Sequence, residues 1–103
     1  ADVVADALRG MAIAHLCAGR IDTALSWAEK AFRARPTYLV VVGVIAASHA
    51  LAGRMDEARR AMDRLRALDP ALRVSNLEEW VMLRRPEDRA TFTSGLRRAG
   101  LPE

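Results

Sequence analysis

Few side chains in this 103-residue chain could do chemistry: two histidines, His15 and His49, and one cysteine, Cys17. The histidines are the candidates for a general base, but both fall on the apolar face of their segments, which favours a packing role. Cys17 has no evident base near it, and a thiol without one is a poor nucleophile. It has no second cysteine to form a disulfide, and the histidines are too few to complete a zinc site. The sequence therefore predicts no enzyme activity, no metal and no cofactor.

The charged residues give little indication of nucleic-acid binding. Sixteen basic and thirteen acidic residues give a net charge of +3. One predicted helix carries four arginines with acidic residues between them at ion-pair spacing: Arg59, Arg60, Arg64 and Arg66. No aromatic side chain lies among them to stack on bases. We therefore expect a solvated, self-neutralising surface and no nucleic-acid partner.

An internal repeat organises the chain. When the sequence is shifted by 34 residues, residues 12–36 match residues 46–70 at eight positions. The matched residues of the first copy are Ala12, His15, Ala18, Gly19, Arg20, Asp22, Ala24 and Pro36. Each glycine is predicted to close a turn after a first helix with a positive φ, and each proline to stop a second helix. The repeat unit is therefore predicted to be a pair of antiparallel helices.

Within each unit the apolar residues recur with the period of a helix. In the first helix they form one stripe over residues 4–18. Asp22 and Asp56 follow the glycine turns, where a carboxylate caps the free amides of the next helix or complements its dipole. Residues 39–47 are rich in valine, as strands are, but the repeat register predicts a helix flanked on both sides. Gly43 within it indicates a close backbone approach by a neighbour.

A 34-residue period with glycine, alanine and proline at these offsets resembles the tetratricopeptide repeat. The resemblance covers two units, residues 5–38 and residues 39–72. The family's small residues at helix crossings are matched by Ala12, Ala24 and Ala31 in the first unit and by Ala46 and Ala58 in the second. Leu65 departs from that pattern. The resemblance implies an all-α fold, a right-handed α-α superhelix whose first helices line a concave groove.

The groove positions implied by this resemblance are mostly apolar. They are Asp6, Arg9, Ile13, Leu16 and Cys17 in the first unit and Val40, Gly43, Ala47, Ala50 and Leu51 in the second. The Lys and Asn residues with which some family members hold a terminal carboxylate are absent. An exposed apolar groove favours a helix or an aliphatic segment of a protein partner as ligand, or self-association as a homodimer. In the alternative, the array's own capping helices or another domain of a larger protein cover the groove.

Residues 75–100 are predicted to form a capping pair of helices. Ser75 and Glu78 have the spacing of a capping box, and Pro86 ends the helix that they begin. That helix contains Trp80, Val81 and Leu83. Pro86 also starts a last helix, which ends at Gly100.

Residues 85–103 carry a second resemblance, to the extreme C-terminus of certain bacterial signalling proteins. Those proteins join a class III adenylate or guanylate cyclase domain, or a winged-helix DNA-binding domain, to C-terminal tetratricopeptide repeats. The resemblance implies a non-catalytic protein-protein interaction module at the end of a nucleotide cyclase. The alternative is a structural or homo-oligomerising tail of a transcriptional regulator.

The cellular setting follows from two further features. The longest apolar stretch, residues 39–52, is too short and too polar to span a bilayer, so we expect no membrane insertion and a cytoplasmic location. The chain begins at Ala1 without a methionine, and we expect it to be the C-terminal fragment of a larger protein.

Overall fold

The computed structural model describes residues 3–79 and 81–103, and every regular element in those ranges is helical. The elements are α1 (Val3–Cys17), α2 (Ile21–Ala34), α3 (Leu39–Leu51), α4 (Met55–Leu68), a 3-10 helix (Val74–Glu79) and α5 (Pro86–Ala99). The predicted all-α fold class is confirmed. Across these ranges, no helix is both long and apolar enough to cross a membrane.

The backbone repeats with the period read from the sequence. Gly19 and Gly53 close the two α-α turns with φ values of 83° and 82°, a region that side chains with a Cβ rarely adopt. The residues that follow, Arg20 and Arg54, also have nearly the same backbone angles, with φ of −88° and −87°. Helices α2 and α4 are each 14 residues long and start 34 residues apart. The two helical hairpins, α1–α2 and α3–α4, are therefore built alike, as predicted.

Helix α3 lies at the centre of the molecule. It contacts α1, α2, α4 and α5. Ten of its thirteen residues are buried, including Val41, Val42 and Val44 with no exposed surface. A helix surrounded by neighbours has no solvent-facing side, so it is apolar all round. The valine-rich run over residues 39–47 is thus helical, as the repeat register predicted.

Asp22 and Asp56 do not cap their helices. The N-cap residues are Arg20 and Arg54, and neither helix has a side-chain cap hydrogen bond. The aspartates lie in the first turn, where a negative charge complements the helix dipole. Of the two roles expected for them, only the electrostatic one fits the structure.

The predicted helix that starts at the Ser75–Glu78 box is wrong in length and type. It is a six-residue 3-10 helix with a kink at Asn76, and residues 81–84 lie outside any helix; Trp80 lies outside the described residues. Ser75 is not an N-cap residue, because it is the second residue of the 3-10 helix; its backbone N–H donates to the Glu103 carbonyl at 3.0 Å. The Asn76 side chain instead accepts from the Arg73 N–H at 2.9 Å, which forms a local turn.

Helix α5 matches the predicted last helix from Pro86 to its stop at Gly100, which has a φ of 111°. Gly95 lies inside the helix and is buried. It faces Ala47 of α3 so closely that a Cβ on Gly95 would lie 2.7 Å from the Ala47 Cβ. Helix α5 packs mainly on α3, with smaller contacts to α1 and α4, so it crosses the α1–α3 side of the two hairpins.

Candidate functional site

Helix α5 fills the part of the predicted groove that α3 lines. Five of the ten predicted groove residues are buried: Leu16, Val40, Gly43, Ala47 and Ala50. Ala47 has no exposed surface and lies beneath Gly95. This arrangement corresponds to the alternative in which the array's own capping helix covers the groove. Part of the groove along α1 remains accessible next to the start of α5.

The accessible part is a cleft of about 420 Å³ between α1 and residues 82–88. Its walls are formed by Arg9, Gly10, Ile13, Ala14, Cys17, Ala18, Met82, Leu83, Arg85 and Asp88. Arg9, Ile13 and Cys17 were predicted as groove residues, and the structure brings them together here. Leu51, also predicted, is half-buried and does not line the cleft. The cleft therefore retains the first-unit half of the predicted site.

Arg9 lines the cleft and carries a donor that lacks an acceptor. Its guanidinium lies 5.8 Å from the centre of the ring of Tyr38, the residue that precedes α3. The Nε atom is buried and has no hydrogen-bond partner among the described residues. Buried donors without a partner are rare and costly, so this atom favours the approach of an acceptor.

The second arginine of the cleft is already engaged. Arg85 donates from Nε and Nη2 to the Glu87 Oε1 at 3.1 and 2.9 Å. This local pair leaves Arg9 as the cation with an unsatisfied donor at the cleft wall. The positive charge of Arg9 favours an anionic group that enters between α1 and the 82–88 segment.

Cys17 lies at the other end of the cleft, beside Asp88. Burial, followed by the charge of Asp88 and its hydrogen bond with the thiol, raises the pKa of Cys17 to about 11. The thiol is therefore protonated at neutral pH and is a poor nucleophile. In the cleft, Cys17 therefore behaves as a small apolar side chain with a weak hydrogen-bond donor.

Met82 is the most exposed large hydrophobic residue among the cleft residues that the sequence analysis did not predict. Its side chain is 88% exposed and lines both the cleft and a second cavity of about 440 Å³. The second cavity also contains Val81, Leu83, Arg84 and Arg89. Residues 81–83 were predicted to lie in a helix, and that prediction did not single out Met82. The one available signal is its residue type, since methionine is common at adaptable binding surfaces.

Each of the two histidines forms a hydrogen bond across the turn of its own hairpin. The Nδ1 of His15 accepts from the Arg20 Nε at 2.8 Å, and the Nδ1 of His49 accepts from the Arg54 Nε at 3.1 Å. Each bond connects the end of one helix to the start of the next. Burial, and then the charge of Arg54, lowers the pKa of His49. The equivalent positions thus serve the same structural role in both units.

Two further observations concern ligands and relatives. Among the described residues, no group of three or more His, Cys, Asp or Glu side chains could hold a metal ion. No family model, no curated protein and no solved structure matches this chain. The candidate site therefore has to be interpreted from its own geometry.

Proposed function

We propose that the chain is a tetratricopeptide-like protein-interaction module that binds a segment of a partner protein in the α1 cleft. The observation that carries the proposal is the cleft itself, an open site of peptide-binding size with an apolar wall at Ile13 and Met82 and an unsatisfied donor at Arg9. A segment with an aliphatic side chain next to a carboxylate complements both features.

The repeat architecture supports the superhelical part of the proposal. Two hairpins with the same turn geometry, 34 residues apart, are the building units of such an array. The position of α5 shortens the accessible groove, because α5 lies along the α1–α3 side and covers the part of the groove that α3 lines. The proposed ligand site is consequently shorter than a groove that spans both units.

The module is proposed to be non-catalytic and cytoplasmic. The protonated Cys17 thiol and the His15 and His49 rings, each held by an arginine, support a structural role for the residues that could do chemistry. Attachment to a bacterial adenylate or guanylate cyclase rests on the resemblance of residues 85–103 alone.

A homo-oligomerising tail of a transcriptional regulator is the second candidate. Exposed apolar side chains on α1 favour it, since Val4 is 66% and Met11 41% exposed. Sedimentation velocity separates the candidates: a concentration-dependent dimer supports the tail, and a monomer supports the peptide-binding module.

Selection of peptides from a random display library on the intact chain tests the binding function. We expect the selected peptides to pair a carboxylate with an aliphatic residue. Arg9→Ala is expected to weaken their binding about tenfold, the loss of a charge-assisted hydrogen bond. Arg33→Ala is the control, because Arg33 is an exposed arginine outside the cleft. Equal binding to the wild-type chain and to an Ile13→Asp variant would contradict the proposal.

A further inference from the structure

The contacts between the two hairpins show how one unit stacks on the next. Two polar or ring contacts join them, and in each the second unit contributes the later residue. They are Arg54 Nη2 to Asp22 Oδ1 at 3.1 Å and the Arg64 guanidinium over the Phe32 ring at 4.9 Å. Directly before the second hairpin begins, the Tyr38 hydroxyl also donates to Asp6 Oδ1 of α1 at 2.6 Å. Tyr38, Arg54 and Arg64 thus mark the side of the second hairpin that lies against the first.

The same face of the first hairpin is uncovered in the described chain. Its residues are found by subtracting the 34-residue period, and we call it the open face: Val4, Ala7, Met11, Arg20, Trp27 and Lys30. Ile45 of α3 is 8% exposed, whereas its counterpart Met11 is 41% exposed. Val41 is fully buried, whereas its counterpart Ala7 is exposed. Positions that are core in the second unit are therefore apolar and accessible to solvent in the first.

Helix α2 adds an aromatic residue to the open face. Trp27 is half-buried, and the Lys30 ammonium lies 4.7 Å from its ring centre. The counterpart of Trp27 in α4 is Ala61, which is only 2% exposed. A tryptophan within an apolar patch is the kind of residue that contributes most to binding energy.

Charged residues make the other end of the array, the α3–α4 end, unsuited to stacking. In α2, Asp22 and Phe32 contact Arg54 and Arg64 of the second hairpin, and Leu25 lies on the same face of the helix, seven residues before Phe32. In α4, the places of Leu25 and Phe32 are taken by Arg59 and Arg66, both exposed. A further unit on that side would have to bury two arginines, which is costly. The two ends therefore differ, and only the α1–α2 end is suited to stacking.

We propose that the open face is the docking surface for a further helical hairpin of the same 34-residue pattern, stacked as α3–α4 stacks on α1–α2. This site is separate from the α1 cleft and does not depend on the proposed peptide binding. Arg20 corresponds to Arg54, which pairs with Asp22 of the preceding unit. Arg20 binds His15 but forms no ion pair with a described residue. The docked hairpin is accordingly one that presents a carboxylate to Arg20 and apolar side chains to Met11 and Trp27.

The charge of the open face argues against a second copy of the same face as occupant. Arg20 and Lys30 are both cationic, and two such faces in contact would set like charges near each other. A hairpin whose second helix carries an acidic residue followed by two apolar residues, as α2 does with Asp22, Leu25 and Phe32, presents a charge opposite to that of the open face. Complementarity thus selects the hairpin rather than the symmetric dimer.

The test is a tandem chain with residues 1–38 followed directly by residues 5–103, which keeps the period unbroken and places one unit on the open face of the next. Repeat arrays gain stability from each added interface, so we expect its melting midpoint to exceed that of the 103-residue chain by about 5 °C or more. Met11→Asp in the second unit of the tandem is expected to remove the gain. The same substitution in the 103-residue chain should leave the midpoint nearly unchanged, because Met11 is exposed there.

The matched control carries Leu25→Arg and Phe32→Arg in the first unit of the tandem. These are the residues found at the equivalent positions of α4, so the hairpin itself tolerates them, and we expect no gain in midpoint. A tandem no more stable than the 103-residue chain would overturn the proposal. So would a 103-residue chain that sediments as a dimer and becomes a monomer on Met11→Asp, because a second copy would then be the occupant.

Discussion

Gly95 of α5 and Ala47 of α3 form a close helix crossing, since a Cβ on Gly95 would lie 2.7 Å from the Ala47 Cβ and 3.0 Å from its Cα and carbonyl oxygen. Two of these three atoms belong to the backbone, which cannot rotate away. The crossing fixes α5 over α3, and it therefore determines which part of the groove is filled and which part stays open as the cleft.

Gly95→Ala is expected to destabilise the chain. The added methyl would overpack the crossing at a cost of about 1–3 kcal/mol. The gain in helix propensity from replacing glycine is only about 1 kcal/mol, so the net effect is a loss. Gly10→Ala is the matched control, because Gly10 lies within α1 with no atom within 4 Å of its Cβ position. Urea denaturation should show opposite shifts for the two variants, and a stabilised Gly95→Ala would mean that α5 does not lie on α3.

Ala58→Leu probes the crossing inside the second hairpin. Ala58 has no exposed surface in α4, and it corresponds to Ala24, which is equally buried in α2. We expect overpacking to lower the free energy of unfolding by about 1–3 kcal/mol. The reference is Ala67→Leu on the same helix, where the alanine is exposed. Equal unfolding midpoints for the two variants would place the crossing elsewhere.

His49 should make the stability of the chain depend on pH. Because burial and Arg54 lower its pKa in the folded chain below the ordinary 6.5, the unfolded chain binds the proton more readily. Its contribution is therefore fully present above pH 6.5 and is lost as the pH falls through that value. The pKa values of Glu87 and Glu103 are also lowered, but these carboxyl groups change the stability only below pH 4.5, outside the range in which His49 titrates. Unfolding midpoints between pH 7.5 and 5.5 should fall more steeply for the wild type than for His49→Gln, and parallel slopes would refute this assignment.

Cys17 should react slowly with a chromogenic disulfide reagent. A pKa of about 11 in place of 9.0 leaves roughly a hundredfold less thiolate at pH 8 than in the unfolded chain. Asp88→Asn removes the carboxylate that helps raise the pKa, so the thiol of this variant should react faster than that of the wild type. The urea-unfolded chains of both provide the unperturbed rate. If the wild-type thiol reacts as fast folded as unfolded, the Cys17–Asp88 contact is absent.

The local part of the fold could be predicted from the sequence. The turns at Gly19 and Gly53 need a positive φ, which restricts the residue type, and the 34-residue period assigned the valine-rich segment to a helix. These features depend on residues close in the chain, where pattern and conformation are tightly linked.

The placement of α5 and the composition of the site could not be predicted in this way. The approach of Gly95 to Ala47 joins residues 48 positions apart and depends on shape rather than periodicity. The 3-10 helix depends on backbone bonds from Val74 and Ser75 to the carbonyls of Pro102 and Glu103. Exposure of Met82 follows from that non-helical segment, so a helical prediction for residues 75–83 concealed it.

The central claim, that the α1 cleft binds a segment of a partner protein, is tested most directly by NMR titration of the labelled 103-residue chain with a selected peptide. Saturable shift changes at Ile13, Cys17 and Met82, and at the Arg9 Nε–H, are the predicted result, with the same peptide causing none of them in Ile13→Asp. Changes confined to the second cavity at Val81 and Arg89, or to Met11 and Trp27 of the open face, would contradict the claim.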